Sequence, residues 1–557
     1  MQKHKPLLIA FCLLLLLASC STATNGGAAP TTTGGISALS ESTSTAISAS
    51  PTPFQPLEEQ DSIYFAPSAP QEWIQDVGKL KVTQDSTNAD LVLDLAGRSE
   101  NNPTFEQFTR IYALVAPFDT VTDGLSLVEL RSLWSAGTPS LAGFSKLYMN
   151  AATSDLLTIV WGQPLGAVVS IFDIQDLPAE LWKTTDALAI IPFEELEPRF
   201  KVIKVDGISP IDRPMDVENY GLTVSYFLTG AEGSEKRLQP EIEQLISAIP
   251  ATNRDESKMT VVMMTGTTAL ARVTLKKIEL NGYEYPIDQI KNWFLSADLR
   301  HVSNEVSFME GCEYVNAFTM QFCSKPDQIK VLENIGINVV ESTGNHMNDY
   351  PGDAFAKTLQ MYKERGWLSF GGGINAEEAK QPAVTEVNGN KIAFIGCNPV
   401  GFTTAWATDT RAGAAKCDYD WLNQKIAELK SQGYVVIVTY QAEEIDRQMY
   451  DEVYRKNFKN AAAAGADIVQ GSQSHVPMGF EFVNNSLIHY GLGNFLFDQM
   501  EPHNIREFFD RHIIYNGKYI STELLTATLM DWSRPVPMNE KDRQSFLDEL
   551  FTASKMR

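Results

Sequence analysis

The chain has 557 residues, more than one ordinary core holds, and its 44% hydrophobic and 20% charged residues are the composition of a folded protein rather than a disordered or fibrous one. A formal charge of -24 excludes nucleic acid as a natural partner, because that binding draws on clustered Lys and Arg against phosphate. The same field opposes polyanions in general, although local patches still act within a screening length of about 8 Å.

Lys3, His4 and Lys5 precede an apolar run from Leu7 to Ala18. The run is too short to span a hydrocarbon core of ~30 Å but suits a signal peptide. It ends Leu17-Ala18-Ser19-Cys20, a string that resembles the bacterial lipobox. The resemblance implies a signal over residues 1–20, acylation of Cys20, and a lipid anchor to the cell membrane with the protein facing outside the cytoplasm. The alternative is an ordinary secretory signal with an incidental cysteine. Residues 21–60 are mostly Ser, Thr, Ala, Gly and Pro, and Glu41 is the sole charge as far as Pro56. Such a segment cannot bury enough apolar surface to offset its ordering, which predicts a disordered tether. Beyond Cys12 and Cys20 the cysteines are Cys312, Cys323, Cys397 and Cys417, an even number in a compartment that permits disulfides. Sequence proximity pairs Cys312 with Cys323 and Cys397 with Cys417; the rival, a four-cysteine metal cluster, lacks any CxxC spacing.

Over residues 61–250 short apolar strands such as Ala89 to Leu93, Arg110 to Ala116 and Ala187 to Phe193 alternate with helical stretches, which predicts an α/β domain. The text from Tyr112 to Trp134, with a helix opening at Leu127, resembles periplasmic solute-binding proteins of the phosphate-binding type. Residues from Asp186 to Gly207 would then supply a return strand and the strand after it. The resemblance implies a small ligand held between lobes; the other reading is a structural domain without a ligand. A charged junction from Asp255 to Lys258 marks the boundary.

From 258 to 530 the pattern is sharper. Strand-like runs at Met259 to Thr265, Ile337 to Glu341, Lys391 to Gly396, Tyr434 to Thr439, Ala466 to Val469 and Ser486 to Tyr490 are separated by helices. The helices Ala354 to Arg365, Trp421 to Ser431 and Val453 to Ala464 space their apolar residues by three and four. Polar residues collect in the loops after the strands, the edge at which open α/β sheets build sites. Those loops carry motifs in a fixed order: Ser303-Asn304-Glu305-Val306-Ser307-Phe308, then Asn345-His346 with Asp349, then a glycine-rich turn at Gly371 to Gly373, and last Gly465 to Asp498 with Tyr490-Gly491-Leu492-Gly493-Asn494-Phe495.

In that order the motifs resemble those of the bacterial capsule-synthesis CapA family. The resemblance implies a metallophosphoesterase-like two-sheet sandwich flanked by helices over 258–530, followed by a tail at 531–557. It also implies work on poly-γ-glutamate capsule or another cell-envelope polymer, or its precursor, in synthesis or export. In the wider superfamily two divalent metals activate a water that attacks phosphorus. By motif, Glu305 would be a metal-facing carboxylate, Asn345 an oxygen ligand with a part in catalysis, His346 a general acid, and His475 a nitrogen ligand. The sequence departs from the pattern where Thr267 stands for an Asp, Gln441 for a His, and Ser472 for another His. What remains would seat at most one divalent metal, Mn, Mg or Zn, with an incomplete ligand set, and Glu443 or Glu444 could substitute for a lost ligand. Each retained residue also has a structural alternative: His346 as a helix cap, Glu305 as an acceptor for loop amides, Asp349 as the group that orients His346. His489, inside an apolar strand, reads as a hydrogen-bonded core residue, and His301 stays unassigned. Three functions follow: a metal-dependent hydrolase of an envelope polymer, a binding module that has lost its metals, or a tethered solute receptor.

Overall fold

The structure is a computed structural model that describes residues 60–95, 103–316 and 318–556. Cys20, the signal and the tether to residue 59 lie outside the described residues. Residues 60–557 cluster as one compact unit, so the two predicted halves pack against each other rather than standing apart.

In the N-terminal half the strand Thr104–Pro117 pairs with Thr223–Gly230, Ala187–Pro192 and Phe200–Val205 in a mixed ten-stranded sheet. The helix Leu127–Ala136 starts where predicted, because Ser126 and Glu129 form a reciprocal capping box, and it stops at Gly137 in the left-handed conformation.

The C-terminal half is a two-sheet sandwich. One sheet runs Leu368–Phe370, Val339–Glu341, Leu299–Asn304, Met259–Thr265, Arg506–Tyr515, Lys518–Met530, Arg534–Pro537. The other runs Ala383–Val387, Asn390–Cys397, Val435–Gln441, Ile468–Ser472, Ser486–His489, Phe480–Val483. Met259–Thr265 and Val435–Gln441 are buried at every position, which is why they read as continuous apolar runs rather than alternating ones. Between the sheets Val262, Met264, Val339 and Phe508 meet Phe394, Ile437, Ile468 and Phe480. The helices Tyr419–Ser431 and Glu452–Ala463 cover the outer face of the second sheet through Ile426, Leu429, Phe458 and Ala461.

The closing stretch, expected as a tail, is integrated into the core. Arg534–Pro537 pairs with Lys518–Met530, and the helix Glu540–Ser554 buries Phe546, Leu547, Leu550 and Phe551. That helix also joins the halves, since Phe118 packs on Phe551 and on Phe480 with ring centroids 6.1 and 5.5 Å apart. Both disulfides form as sequence proximity paired them, Cys312 with Cys323 and Cys397 with Cys417, and the four-cysteine cluster is excluded. No helix among the described residues is long and apolar enough to cross a membrane.

Candidate functional site

Met259–Thr265, Leu299–Asn304 and Val339–Glu341 run parallel in one sheet, as do Val435–Gln441 and Ile468–Ser472 in the other. Their C-terminal ends therefore open on one edge of the sandwich. Thr267, Glu305, Asn345, Gln441 and Ser472 all lie at or just past those ends, where strand termini expose side chains to a shared crevice.

Gln441 is the hub. It is fully buried, and its amide nitrogen Nε2 donates to Glu305 Oε1 at 3.3 Å and to Asn345 Oδ1 at 3.2 Å. Its oxygen Oε1 faces the Ser472 hydroxyl at 2.9 Å, and because a carboxylate only accepts, Glu305 fixes the amide with its NH2 toward itself. Ser472 in turn sits 2.8 Å from Glu341 Oε1, and the Thr343 hydroxyl reaches the same oxygen at 2.5 Å. Behind them His301 Nε2 lies 3.4 Å from Glu341 Oε2, both side chains 1% exposed. Burial works to raise the Glu341 pKa, yet the neighbouring His301, with the Thr343 and Ser472 hydroxyls, outweighs it and holds the carboxyl below its ordinary range.

His346 is positioned by Asp349, whose Oδ2 accepts from His346 Nδ1 at 2.7 Å and from the Phe322 amide at 2.8 Å. This fixes the proton on Nδ1 and leaves Nε2 to the crevice. Burial opposes the charged ring, but the Asp349 hydrogen bond and the charges of Glu305 and Asp349 prevail over it, with Arg272 opposing, so the pKa rises above the usual histidine value. The ring packs on Phe322 with centroids 4.2 Å apart. Arg272 lies over Phe322 and Phe497, at 4.6 and 5.2 Å, and its guanidinium Nε donates to Asp498 Oδ1 at 3.0 Å. His475 packs against Phe497 at 4.6 Å on the other side.

The structure thus brings Glu305, Asn345 and His346 into one site with Asp349 orienting the histidine, while His475 is set across the Phe322 and Phe497 rings from His346. Thr267 is buried and spends its hydroxyl oxygen on the Gln473 amide, 3.1 Å away. Glu444 stays exposed beside His475, and the Glu443 side chain bonds Tyr454, so neither replaces a ligand in the Glu305 cluster. His489 is the core residue expected, with Nδ1 2.6 Å from Asp510 Oδ2 and no exposure.

A divalent metal does not fit these residues. Two oxygens that would face a cation, on Glu305 and Asn345, are already bridged by an NH2 group. Among the described residues no group of three or more His, Cys, Asp or Glu is placed to hold a metal ion. His475, expected as a nitrogen ligand, bonds Asn494 Oδ1 through Nδ1 at 2.7 Å and has Glu444, at 4.0 Å from Nε2, as its nearest carboxylate, so it makes no contact with the Glu305 cluster. Sequence reasoning treated Gln441 and Ser472 only as lost ligands and left His301 without a role. The positive signal for them is that both polar replacements end strands of the same buried sheet.

Residues 261–499 match the family model described as bacterial capsule synthesis protein PGA_cap. Capsule biosynthesis protein CapA of Bacillus anthracis is 25% identical over 266 residues, which is 46% of this chain and 64% of that protein. PGA biosynthesis protein CapA of Bacillus subtilis (strain 168) is 26% identical over 238 residues, 42% of this chain and 62% of that protein. The chain therefore spans somewhat under two thirds of the length of the curated relatives it matches. Among solved structures, an ABC-type phosphate transport receptor from Vibrio cholerae aligns with TM-score 0.28 and 14% identity, over 34% of this chain and 97% of that one. A 5'-nucleotidase precursor from Thermus thermophilus aligns with TM-score 0.32 and 11% identity, over 53% of this chain and 59% of that one. Likeness at that level adds nothing to the fold described above.

Proposed function

We propose, from the match of residues 261–499 to the bacterial capsule synthesis family model and the similarity to the CapA proteins, that this protein acts in the biosynthesis or export of a capsule or cell-envelope polymer, poly-γ-glutamate or polysaccharide, as a lipid-anchored protein outside the cytoplasm. In this reading the domain binds the polymer or its precursor through hydrogen bonds and charge rather than through a metal. The observation that carries it is the Gln441 amide, which spans Glu305 and Asn345 in the place a cation would take. An amide NH2 offers two donors to two acceptors, which satisfies both oxygens without a dication.

A second reading is favoured by His346. It holds a proton on Nδ1 against Asp349, sits beside the Glu305 charge, and has a raised pKa, the attributes of a general acid. It makes the domain a hydrolase of the same polymer, and the two readings part on one variant. If the domain only binds, His346→Ala changes affinity and no turnover is lost. If it hydrolyses, release of product from the polymer stops in that variant.

The anchor is tested separately. Radiolabelled palmitate fed to cells should enter the full chain and be absent from Cys20→Ala; label that persists in the variant overturns the tether.

A further inference from the structure

Beside the site lies a cleft of ≈ 580 Å³ whose lining includes His475, Glu444, Asp446, Glu501, Phe318 and Trp532. Its charge is one-sided. Asp446 and Glu501 make no ion pair among the described residues, and Glu444 Oε1 comes no closer than 4.0 Å to His475 Nε2. The cations bordering the cleft are each committed elsewhere: Arg272 to Asp498, Lys277 to Asp531, and Arg506, which touches His503, to Glu549.

His475 supplies an independent observation, because its proton can be placed from its neighbours. Asn494 turns its NH2 toward the Asn504 carbonyl at 3.2 Å, a group that can only accept, and toward Gln499 Oε1 at 3.2 Å. Its Oδ1 must therefore face His475, and His475 Nδ1, 2.7 Å away, must be the donor. With Nδ1 as the donor, the neutral tautomer of the ring carries its lone pair on Nε2, in a residue that lines the cleft and is only 6% exposed. At 4.0 Å the Nε2 to Glu444 separation exceeds a hydrogen bond, yet a single donor between the two atoms would serve both. Aromatic surface completes the lining, with Phe318 92% and Trp532 40% exposed.

We infer that this cleft recognises a primary ammonium group on the polymer or its precursor, seated against His475 Nε2 and the Glu444 carboxylate with Asp446 and Glu501 adding charge. An ammonium brings three donors and no acceptor, and aromatic faces attract it further. The inference rests on the polymer-binding reading above, and it narrows that reading to amine-bearing units rather than runs of free carboxylate. The amine could belong to an amino sugar or to the amino terminus of a γ-linked peptide chain.

Calorimetric titration of the full chain tests this with glucosamine oligomers and with γ-linked glutamate oligopeptides, each as the free amine and as its N-acetylated form. The expected result is binding of at least one free amine that weakens about ten-fold or more on acetylation. The exposed substitutions Glu444→Gln and Asp446→Asn should together weaken the amine form by a similar factor and leave the acetylated form unchanged. Equal binding of amine and acetyl forms, or unchanged affinity in the double variant, overturns the ammonium site while sparing the polymer reading. Failure of every oligomer to bind overturns both.

Discussion

At the scale of single residues, Gln441 does two things at once. It neutralises no charge, yet it donates to one oxygen of a buried carboxylate and to a half-buried amide oxygen by pointing both N–H bonds at them. Removing it strands Glu305, whose other oxygen, Oε2, is already buried without a hydrogen-bond partner. Gln441→Leu should therefore cost at least about 2 kcal/mol in urea unfolding, because a buried charged acceptor loses its donor. Gln441→Glu should cost more, since it sets a second carboxylate where the donor stood, 3.3 Å from Glu305 Oε1. Added Mg²⁺ or Mn²⁺ should raise the melting temperature of that variant and leave the parent protein unmoved. A parent protein that gains as much as the variant would refute the role assigned to the amide. The sequence made Glu305, Asn345, His346 and Asp349 legible because they sit in ordered motifs. It could not show that Gln441 compensates for the lost histidine, since that depends on which way one amide faces, and the acceptor-only carboxylate of Glu305 decides it from the other sheet.

At the scale of elements, the loop after Asn390–Cys397 matters most to the site. Asn398 donates from Nδ2 to the Thr343 carbonyl at 2.8 Å, and Asn348 donates to the carbonyls of Thr404 and Ala412 at 3.0 and 2.9 Å. The loop thus clasps the turn that carries Asn345 and His346, and the Cys397–Cys417 bond closes it across 20 residues of sequence. Replacing both cysteines by serine should cost about 3 kcal/mol through the unfolded chain's regained freedom, and protease should then cut first between 398 and 412. Unchanged unfolding free energy in the double variant would contradict the clasp. Most strands around the site were legible as buried apolar runs of the right length. The long hairpin of Arg506–Tyr515 and Lys518–Met530 was not, although it supplies a central strand beside Met259–Thr265. Its signal was local: Asn516-Gly517, both with positive φ of 49° and 77°, is the dipeptide that a tight hairpin turn requires. The strands themselves mix Arg, Asp, His and Glu with apolar residues, because one face meets the other sheet through a polar network, and that hides the usual alternation.

At the scale of the whole molecule, that network is a source of acid sensitivity. Asp510 Oδ2 accepts from Gln470 at 2.8 Å and lies 2.6 Å from His489 Nδ1, while His512 Nδ1 lies 2.6 Å from Thr522 Oγ1, all between the two sheets. Burial, opposed by the Asp510 charge and reinforced by His489 and His301, pushes His512 down to about 4. The unfolded chain titrates this group near pH ~6.5, so between that value and about 4 the unfolded state binds the proton and the folded state does not. Stability should fall as pH drops through that window, by roughly 3 kcal/mol from this residue. His512→Gln should flatten the pH dependence relative to the parent in urea unfolding at several pH values, and parallel curves would contradict the assignment. The two-sheet class was legible because the motif order constrained it. The integration of residues 531–557 was not, because a short amphipathic helix reads as a tail until the aromatic rings of the other half are seen to need cover.

Binding without a metal requires that an amide has taken the place of a cation at the strand ends. The direct measurement is the metal content of the purified full chain, incubated with Mn²⁺, Mg²⁺ and Zn²⁺, dialysed, and analysed by elemental mass spectrometry. The expected result is far less than one equivalent of any of them, with no difference between the parent and Glu305→Ala. One tightly held equivalent that disappears in Glu305→Ala would contradict the amide's role and restore the metal-dependent hydrolase.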